Sequence, residues 1–303
     1  MEIRISDWHQ ARDVARKIRE DVFIREQRVP ESLEWDNHDE SATHFLAYDG
    51  RTPVGCARLL PDGHFGRMAI QRQYRGEHWG SRILHTLERY AHDELGIKEL
   101  KASAQTKALP FYQRNGFSAE PGIFDDAGIA HVNIYKAPGA PYANSVLMPT
   151  EDFTAYRLET PVEMAGWLEL MLAGRPREMS ILCDSLDHPL WWRRDVLEAI
   201  SLYARSARHR QVKIYLPFEN GAVVRHPLIR LQTRLGNRLQ FLIHSGVNSS
   251  IVLSHDWGYM RLAEPGLALC SMNDRPSVER LTDEYQEVFR NAVPSREARR
   301  LVI

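Results

Sequence analysis

The sequence predicts an α/β protein: a mixed sheet flanked by helices, followed by a second α/β domain. Three observations predict this. Strand-like and helix-like periodicities alternate through the first 137 residues, Lys136-Ala-Pro-Gly-Ala-Pro-Tyr-Ala-Asn144 breaks both, and a different α/β pattern resumes near residue 159. Such alternation suits a sheet covered by helices, because each element must bury one face. The expected division is a domain over 1–137, a linker over 138–158 and a second domain over 159–303.

Taken in order, residues 3–6 read as a short strand. Residues 8–26 read as a helix because Ala11, Val14, Ala15, Ile18, Val22 and Phe23 recur on one face. Strands at 45–48 and 54–60 join through Asp49-Gly50, a hairpin signal, and Asp62-Gly63 turns into a strand at 65–70. A helix over 80–95 is apolar at Ile83, Leu84, Leu87, Ala91 and Leu95 and stops at Gly96. A strand at 100–104, a short helix at 108–115 closed by Gly116, and strands at 117–119 and 130–135 complete this part. The second part is expected to hold helices at 160–173, 196–207 and 277–292, with strands at 179–183, 212–216, 239–243, 251–253 and 267–271.

With 43% hydrophobic and 26% charged residues and a net charge of −1, the 303-residue chain has the balance of a soluble globular protein. Nothing in that balance demands nucleic acid or an anionic membrane. No apolar run approaches the roughly 20 residues that span a bilayer, and Met1-Glu2-Ile3-Arg4-Ile5 lacks the apolar core of a signal peptide. Cys56, Cys183 and Cys270 are odd in number and have neither metal-ligand nor redox spacing, so they read as reduced, and a cytoplasmic location is expected.

The most informative stretch runs from Gly66 to Leu84 and reads strand, basic turn, helix. Glycines at 76 and 80 let the backbone curve so that successive N–H groups face an anion, and the helix adds its positive end. Arg72, Arg75 and Arg82 supply full charges, an arrangement suited to a pyrophosphate. This stretch resembles the acyl-CoA motif of the GNAT acyltransferases, Arg/Gln-x-x-Gly-x-Gly/Ala, here Arg75-Gly76-Glu77-His78-Trp79-Gly80. His78 stands where the middle glycine is expected, and its Cβ narrows the backbone there. Phe111-Tyr-Gln-Arg-Asn-Gly-Phe117 resembles the short helix after the family's fifth strand. Val22-Phe-Ile-Arg-Glu-Gln27 and Asp125-Asp-Ala-Gly-Ile-Ala-His131 resemble runs of its ElaA/YjcF-like branch. The resemblance covers residues 1–137.

It implies a GNAT-type N-acetyltransferase with acetyl-CoA as acyl-donor substrate and no metal. The pantetheine arm would lie along Met68-Ala69-Ile70, where a backbone N–H can polarise the thioester. The pyrophosphate would sit on Gln71 and the amides of Arg75, Gly76, Glu77, His78, Trp79, Gly80 and Ser81. Tyr112 matches the position that protonates the departing thiolate. A base must collect the proton of a substrate ammonium with pKa around 10.4; Glu26 leads, with His44 and His131 as alternatives. Glu34, Asp36, Asp39 and Glu40 make an acidic loop that either attracts a cationic acceptor, small molecule or protein, or is simply solvated, the latter being the ordinary state of each carboxylate taken singly. Cys56 reads as core, which leaves direct attack on the thioester.

The second part carries less chemistry. Ser271-Met272-Asn273 gives it a faint resemblance to a phospholipase D-like lobe, but His255 is followed by Asp256 and Trp257, without the His-x-Lys of that chemistry. A non-catalytic relative is the reading. Residues 193–238 carry ten Lys/Arg against three Asp/Glu. A solvated helix face accounts for this excess, so nucleic acid is disfavoured as a partner. The alternative function is an acyl-CoA-binding sensor whose second domain contacts nucleic acid or protein, with His78 as its motive.

Overall fold

The computed structural model describes residues 2–137, 155–219, 226–256, 258–264, 266–296 and 298. β1 (Glu2–Ser6) leads into α1 (Trp8–Arg19), which is capped by Asp7 accepting from the Gln10 N–H at 2.9 Å. The helix expected to reach residue 26 changes character at Glu20 and continues as a π-helical turn over Glu20–Glu26. There the Gln27 N–H bonds the Val22 carbonyl at 3.1 Å, a five-residue step that rotates the following side chains off the face of α1. The short α2 (Glu31–Glu34) follows, then β2 (Thr43–Asp49), β3 (Thr52–Leu59) and β4 (Phe65–Ile70). β1 to β4 form an antiparallel sheet in chain order. Its pleat sorts the core: Phe45 and Ala47 join Ile83, Leu84 and Leu87 of α3 (Trp79–Asp93), whereas Leu46 and Tyr48 join Ala11, Ala15 and Ile18 of α1.

β5 (Leu100–Gln105) is followed by α4 (Leu109–Arg114), β6 (Ser118–Ala119), β7 (Phe124–Asp126) and β8 (Ile129–Lys136). β8 pairs antiparallel with β5, β6 and β7 to make a second sheet. The two sheets meet at one point, where His64 bridges Lys101 in parallel and the Lys101 N–H donates to the Gly63 carbonyl at 3.0 Å. Gly63 has φ +90°, and a Cβ there would lie 2.5 Å from the Glu99 carbonyl oxygen. Only glycine permits this junction. Beyond it β4 and β5 have no ladder between them, and a cleft opens.

β9 (Tyr156–Leu158) lies within the stretch expected as a linker; it instead pairs with β15 (Leu267–Met272), and residues 138–154 fall outside the described residues. α5 (Pro161–Ala173) is apolar all round and buried on both sides, as an inner helix must be. It lies against β8 on one side and α7 on the other, so the two parts share one continuous core. The second part adds β10 (Glu178–Leu182), α6 (Pro189–Trp192), α7 (Arg194–Ser206), β11 (Gln211–Leu216), α8 (Pro227–Leu235), β12 (Leu239–Ile243), β13 (Ser250–Ser254) and β14 (Gly258–Glu264). β15, α9 (Arg275–Glu284), α10 (Gln286–Asn291) and β16 (Val293–Pro294) complete it. Its sheet runs β16-β12-β11-β10-β13-β14-β15-β9, with β10, β11 and β12 parallel.

Candidate active site

The cleft between β4 and β5 has a volume of about 1120 Å³. β4 is the edge of its sheet, so one row of its backbone groups faces the cleft rather than a partner strand. The ladder to β3 pairs Cys56 with Ala69 but Arg58 with Gly66, so Arg67 and Met68 together oppose Ala57. Arg67 occupies the left-handed region at φ +49°, the mark of a bulge that bends the strand and re-aims its groups. Met68, Ala69 and Ile70 all line the cleft.

At one end of β4 the chain makes a 3₁₀ turn over Arg72–Tyr74, bends at Gly76 with φ +88°, and enters α3. His78 sits at the N-cap with φ +62° and ψ +12°, the left-handed conformation that a glycine would take. Histidine is one of the residues enriched there. The loop therefore keeps its curve despite the Cβ, and the motive for a sensor in place of an enzyme falls away. No side chain caps α3 and no acid lies in its first turn, so its leading amides are left for an anion. Gly76, His78, Trp79, Gly80 and Ser81 line the cleft, Trp79 with its indole buried in the core. Gln71 and Glu77 do not line it, and the Glu77 carboxylate accepts instead from the Trp79 indole at 3.3 Å.

Tyr112, on α4, lies among Phe65, Phe111 and Phe117 and directs its hydroxyl across the cleft to Met68 Sδ at 3.7 Å. Burial pushes its pKa well above the ordinary phenol value, so the hydroxyl stays protonated and is held as a donor facing the cleft. Glu26, at the end of the π-helical turn, also lines the cleft. Its carboxylate is gripped by Arg75, Nη1 to Oε1 at 2.7 Å and Nη2 to Oε2 at 2.8 Å, while Arg75 Nε donates to the Ile70 carbonyl at 3.0 Å. The Arg75 hydrogen bonds hold the Glu26 pKa below the usual carboxylate range. Next to it, Gln105 donates to Gln27 across the cleft at 2.7 Å.

His131 lines the cleft with its ring stacked on Phe124. Its Nδ1 lies 2.9 Å from the Ile129 carbonyl, which only accepts, so Nδ1 carries the proton and Nε2 the lone pair of the neutral ring. His44 is buried outside the cleft, bonded through Nε2 to the Asp39 carbonyl. Cys56 lies in the α1 core, its thiol pushed up to about 12 by burial, which removes an acyl-cysteine route.

The acidic loop is neither open to a cation nor merely solvated at Glu34, Asp36 and Asp39. Arg19 pairs with Glu34 at 2.5 Å and with Asp39 at 2.8 Å. Arg58 pairs with Asp36 and Asp39, and Arg67 with Glu34 and Asp36. Three arginines thus neutralise three carboxylates. Burial raises the Glu34 pKa, whereas Asp36, despite its burial, is brought down to about 2 by the Arg58 hydrogen bond and charge. The lattice ties the loop to the β4 bulge through Arg67. Glu40 remains exposed.

The β7–β8 hairpin walls the cleft with His131, a candidate already named, and with Asp126, Ala127 and Ile129, to which the sequence assigned no site role. The second part holds this hairpin. Gly166 of α5 approaches Ala130, Arg193 donates to the Gly128 carbonyl at 3.0 Å, and Glu169 meets the Thr106 hydroxyl at 2.5 Å. Among the described residues no group of three or more His, Cys, Asp or Glu is placed to hold a metal, and no helix is long and apolar enough to cross a membrane.

Residues 10–137 match the family model described as an acetyltransferase (GNAT) domain. Over 123 residues the chain is 36% identical to YjcF of Bacillus subtilis, an uncharacterized N-acetyltransferase, covering 39% of this chain and 87% of that one. The chain belongs to the GNAT acetyltransferase family. ElaA of Shigella flexneri is 27% identical over 123 residues, 38% of this chain and 80% of its own length. The crystal structure of Escherichia coli ElaA overlays 45% of this chain and 99% of that one, with 21% identity and a TM-score of 0.42. The GNAT domain makes this protein an acyltransferase, of a family that takes acyl-CoA as donor and amines as acceptors. Residues 162–301 match a domain of unknown function (DUF7931), a description that carries no phospholipase D-like assignment for Ser271-Met272-Asn273.

Proposed function

We propose that the GNAT domain transfers the acetyl group of acetyl-CoA to a primary amine by direct attack in the β4–β5 cleft. The observation that carries this reading is a single line of groups: α3 amides at one end, the bulged edge of β4 along the middle, and the Tyr112 hydroxyl beside Met68. In this reading the diphosphate lies on the loop from Arg75 to Ser81 and the pantetheine follows Met68, Ala69 and Ile70. A β4 amide polarises the thioester carbonyl as negative charge develops on its oxygen. The amine nitrogen bonds to the carbonyl carbon, the carbon–sulfur bond breaks, Tyr112 protonates the thiolate, and the surplus proton of the acylated nitrogen returns Tyr112 to its phenol form, directly or through water. The ammonium proton leaves through Glu26, directly or through water, once the carboxylate is free of Arg75. A second reading uses His131, favoured by its cleft-facing position and the Nε2 lone pair.

A division into residues 1–137 and a second part that starts with β9 at Tyr156 rather than at 159 fits this scheme, with the second part supporting the hairpin that closes the acceptor side. The three free cysteines suit a reducing compartment, and we place the protein in the cytoplasm. The test is release of free thiol from acetyl-CoA in the presence of a panel of primary amines, followed by mass spectrometry of the product. Acetylated amine from the wild-type chain supports the reading; an inert panel together with no binding of acetyl-CoA at millimolar concentration sinks it.

A further inference from the structure

We propose that Arg75 is exchanged between two anions: in this structure it holds Glu26, and it passes to the diphosphate when the donor arrives, freeing the carboxylate on the acceptor side. The inference rests on the donor-cleft reading above. Arg75 is the residue immediately before Gly76 in the loop that lines the cleft, and its guanidinium grips Glu26 through two parallel bonds of 2.7 and 2.8 Å. A third bond, to the Ile70 carbonyl at 3.0 Å, keeps the guanidinium beside β4. The side chains are 41% and 34% exposed, so the pair is accessible to a competing anion and is weak in the way of surface ion pairs.

The contrast with the neighbouring lattice is instructive. Arg19 and Arg58 are buried and each serves two carboxylates, so no single anion can displace them. Arg75 pairs with one carboxylate, at the rim. A diphosphate brings more charge and more acceptor oxygens than one carboxylate and also engages the amides of α3. While Arg75 holds it, Glu26 has both oxygens engaged and a lowered basicity. Arg72 and Lys107 also face Glu26 and favour its charged form, and Gln27, fixed to Gln105, keeps the end of the π-helical turn across the cleft after Arg75 leaves. Arg75 is thus a positioning residue for Glu26 as well as a contact for the donor.

The experiment is calorimetric titration of coenzyme A into the full chain and into Glu26→Gln, Arg75→Ala, the double variant and Glu77→Gln at neutral pH. If Glu26 competes for Arg75, Glu26→Gln binds coenzyme A about three- to fivefold more tightly than wild type, and the gain vanishes in the Arg75→Ala background. Glu77→Gln removes the same charge from the loop without touching Arg75, so any gain it shows comes from simple repulsion and sets the baseline. At pH 5 the wild type also takes up more protons on binding than Glu26→Gln, because Glu26 regains its ordinary acidity. An affinity gain in Glu26→Gln that persists in the Arg75→Ala background, or no gain at all, overturns the exchange while leaving the donor site standing. No saturable heat with wild type at millimolar coenzyme A overturns the donor-cleft reading and the exchange together.

Discussion

Gly166→Ala tests how the second part of the chain bears on the first. In an ordinary helix interior this change stabilises by about 1 kcal/mol, because alanine loses less backbone freedom on folding. At Gly166 the new Cβ would lie 2.5 Å from Ala130 Cβ and 3.1 Å from both Ile123 Cγ2 and Thr106 Cγ2. Ala130 has no rotamer with which to yield, so α5 and β8 must part by roughly 0.9 Å to reach ordinary contact at 3.4 Å. Overpacking of this kind costs about 1–3 kcal/mol and outweighs the helix gain. The strand displaced carries Ile129 and His131 into the cleft on either side of Ala130. The expected outcome is a lower urea midpoint and a raised KM for the acceptor, with coenzyme A affinity unchanged because β4 and α3 do not touch Gly166. A variant as stable as wild type or more so, with unaltered acceptor kinetics, would refute the claim that α5 sets the acceptor wall.

Other outcomes follow from the same geometry. Tyr112→Phe keeps the ring packing and removes the proton donor, so kcat should fall about a hundredfold or more at unchanged coenzyme A affinity, measured by steady-state kinetics and calorimetry. Glu169 has its pKa pushed up to about 7 by burial, well above the unfolded value of 4.5. The folded state therefore holds this proton more tightly, so stability from Glu169 is full below about pH 4.5 and is lost as pH rises through about 7, by of order 3 kcal/mol. Glu169→Gln should flatten that dependence in urea titrations from pH 5 to 8. Arg19→Ala leaves Glu34 with Arg67 and Asp39 with Arg58 as their remaining ion-pair partners and should lower stability by about 1–3 kcal/mol by chemical denaturation. Cys56→Ala should leave turnover intact and trap no acyl-enzyme by mass spectrometry.

What could be read from the chain alone was what local pattern encodes. The apolar stripe of α3 at Ile83, Leu84, Leu87 and Ala91 and the left-handed turn at Gly96 appear where expected, whereas Leu95 falls just past the helix and is exposed. The strand-turn-helix frame was equally legible, since Gly76 and the helix start lie within a few residues of each other. Contacts between distant residues were not. Glu26 and Arg75 are 49 residues apart, and Arg67 and Asp36 are 31 apart, so neither the grip on the base nor the neutralised acidic loop has a local signature. β14 escaped notice because Gly258-Tyr-Met-Arg-Leu-Ala-Glu264 has no β-branched residue and no strict alternation; its neighbours β13 and β15 make it a strand. α8 starts at Pro227 beneath a histidine cap, His226 Nδ1 accepting from the Leu228 N–H at 3.2 Å, a start signal outside the usual Ser/Thr/Asp/Asn set. The helix expected over 277–292 divides at Tyr285 into α9 and α10, which its apolar stripe spans without a breaker residue.

The most direct measurement is the structure of the chain bound to acetyl-CoA. The account predicts the diphosphate on the loop from Arg75 to Ser81, the thioester oxygen within about 3 Å of a β4 amide, and the sulfur facing the Tyr112 hydroxyl. A donor bound elsewhere than along β4, or a thioester turned away from Tyr112, would contradict it.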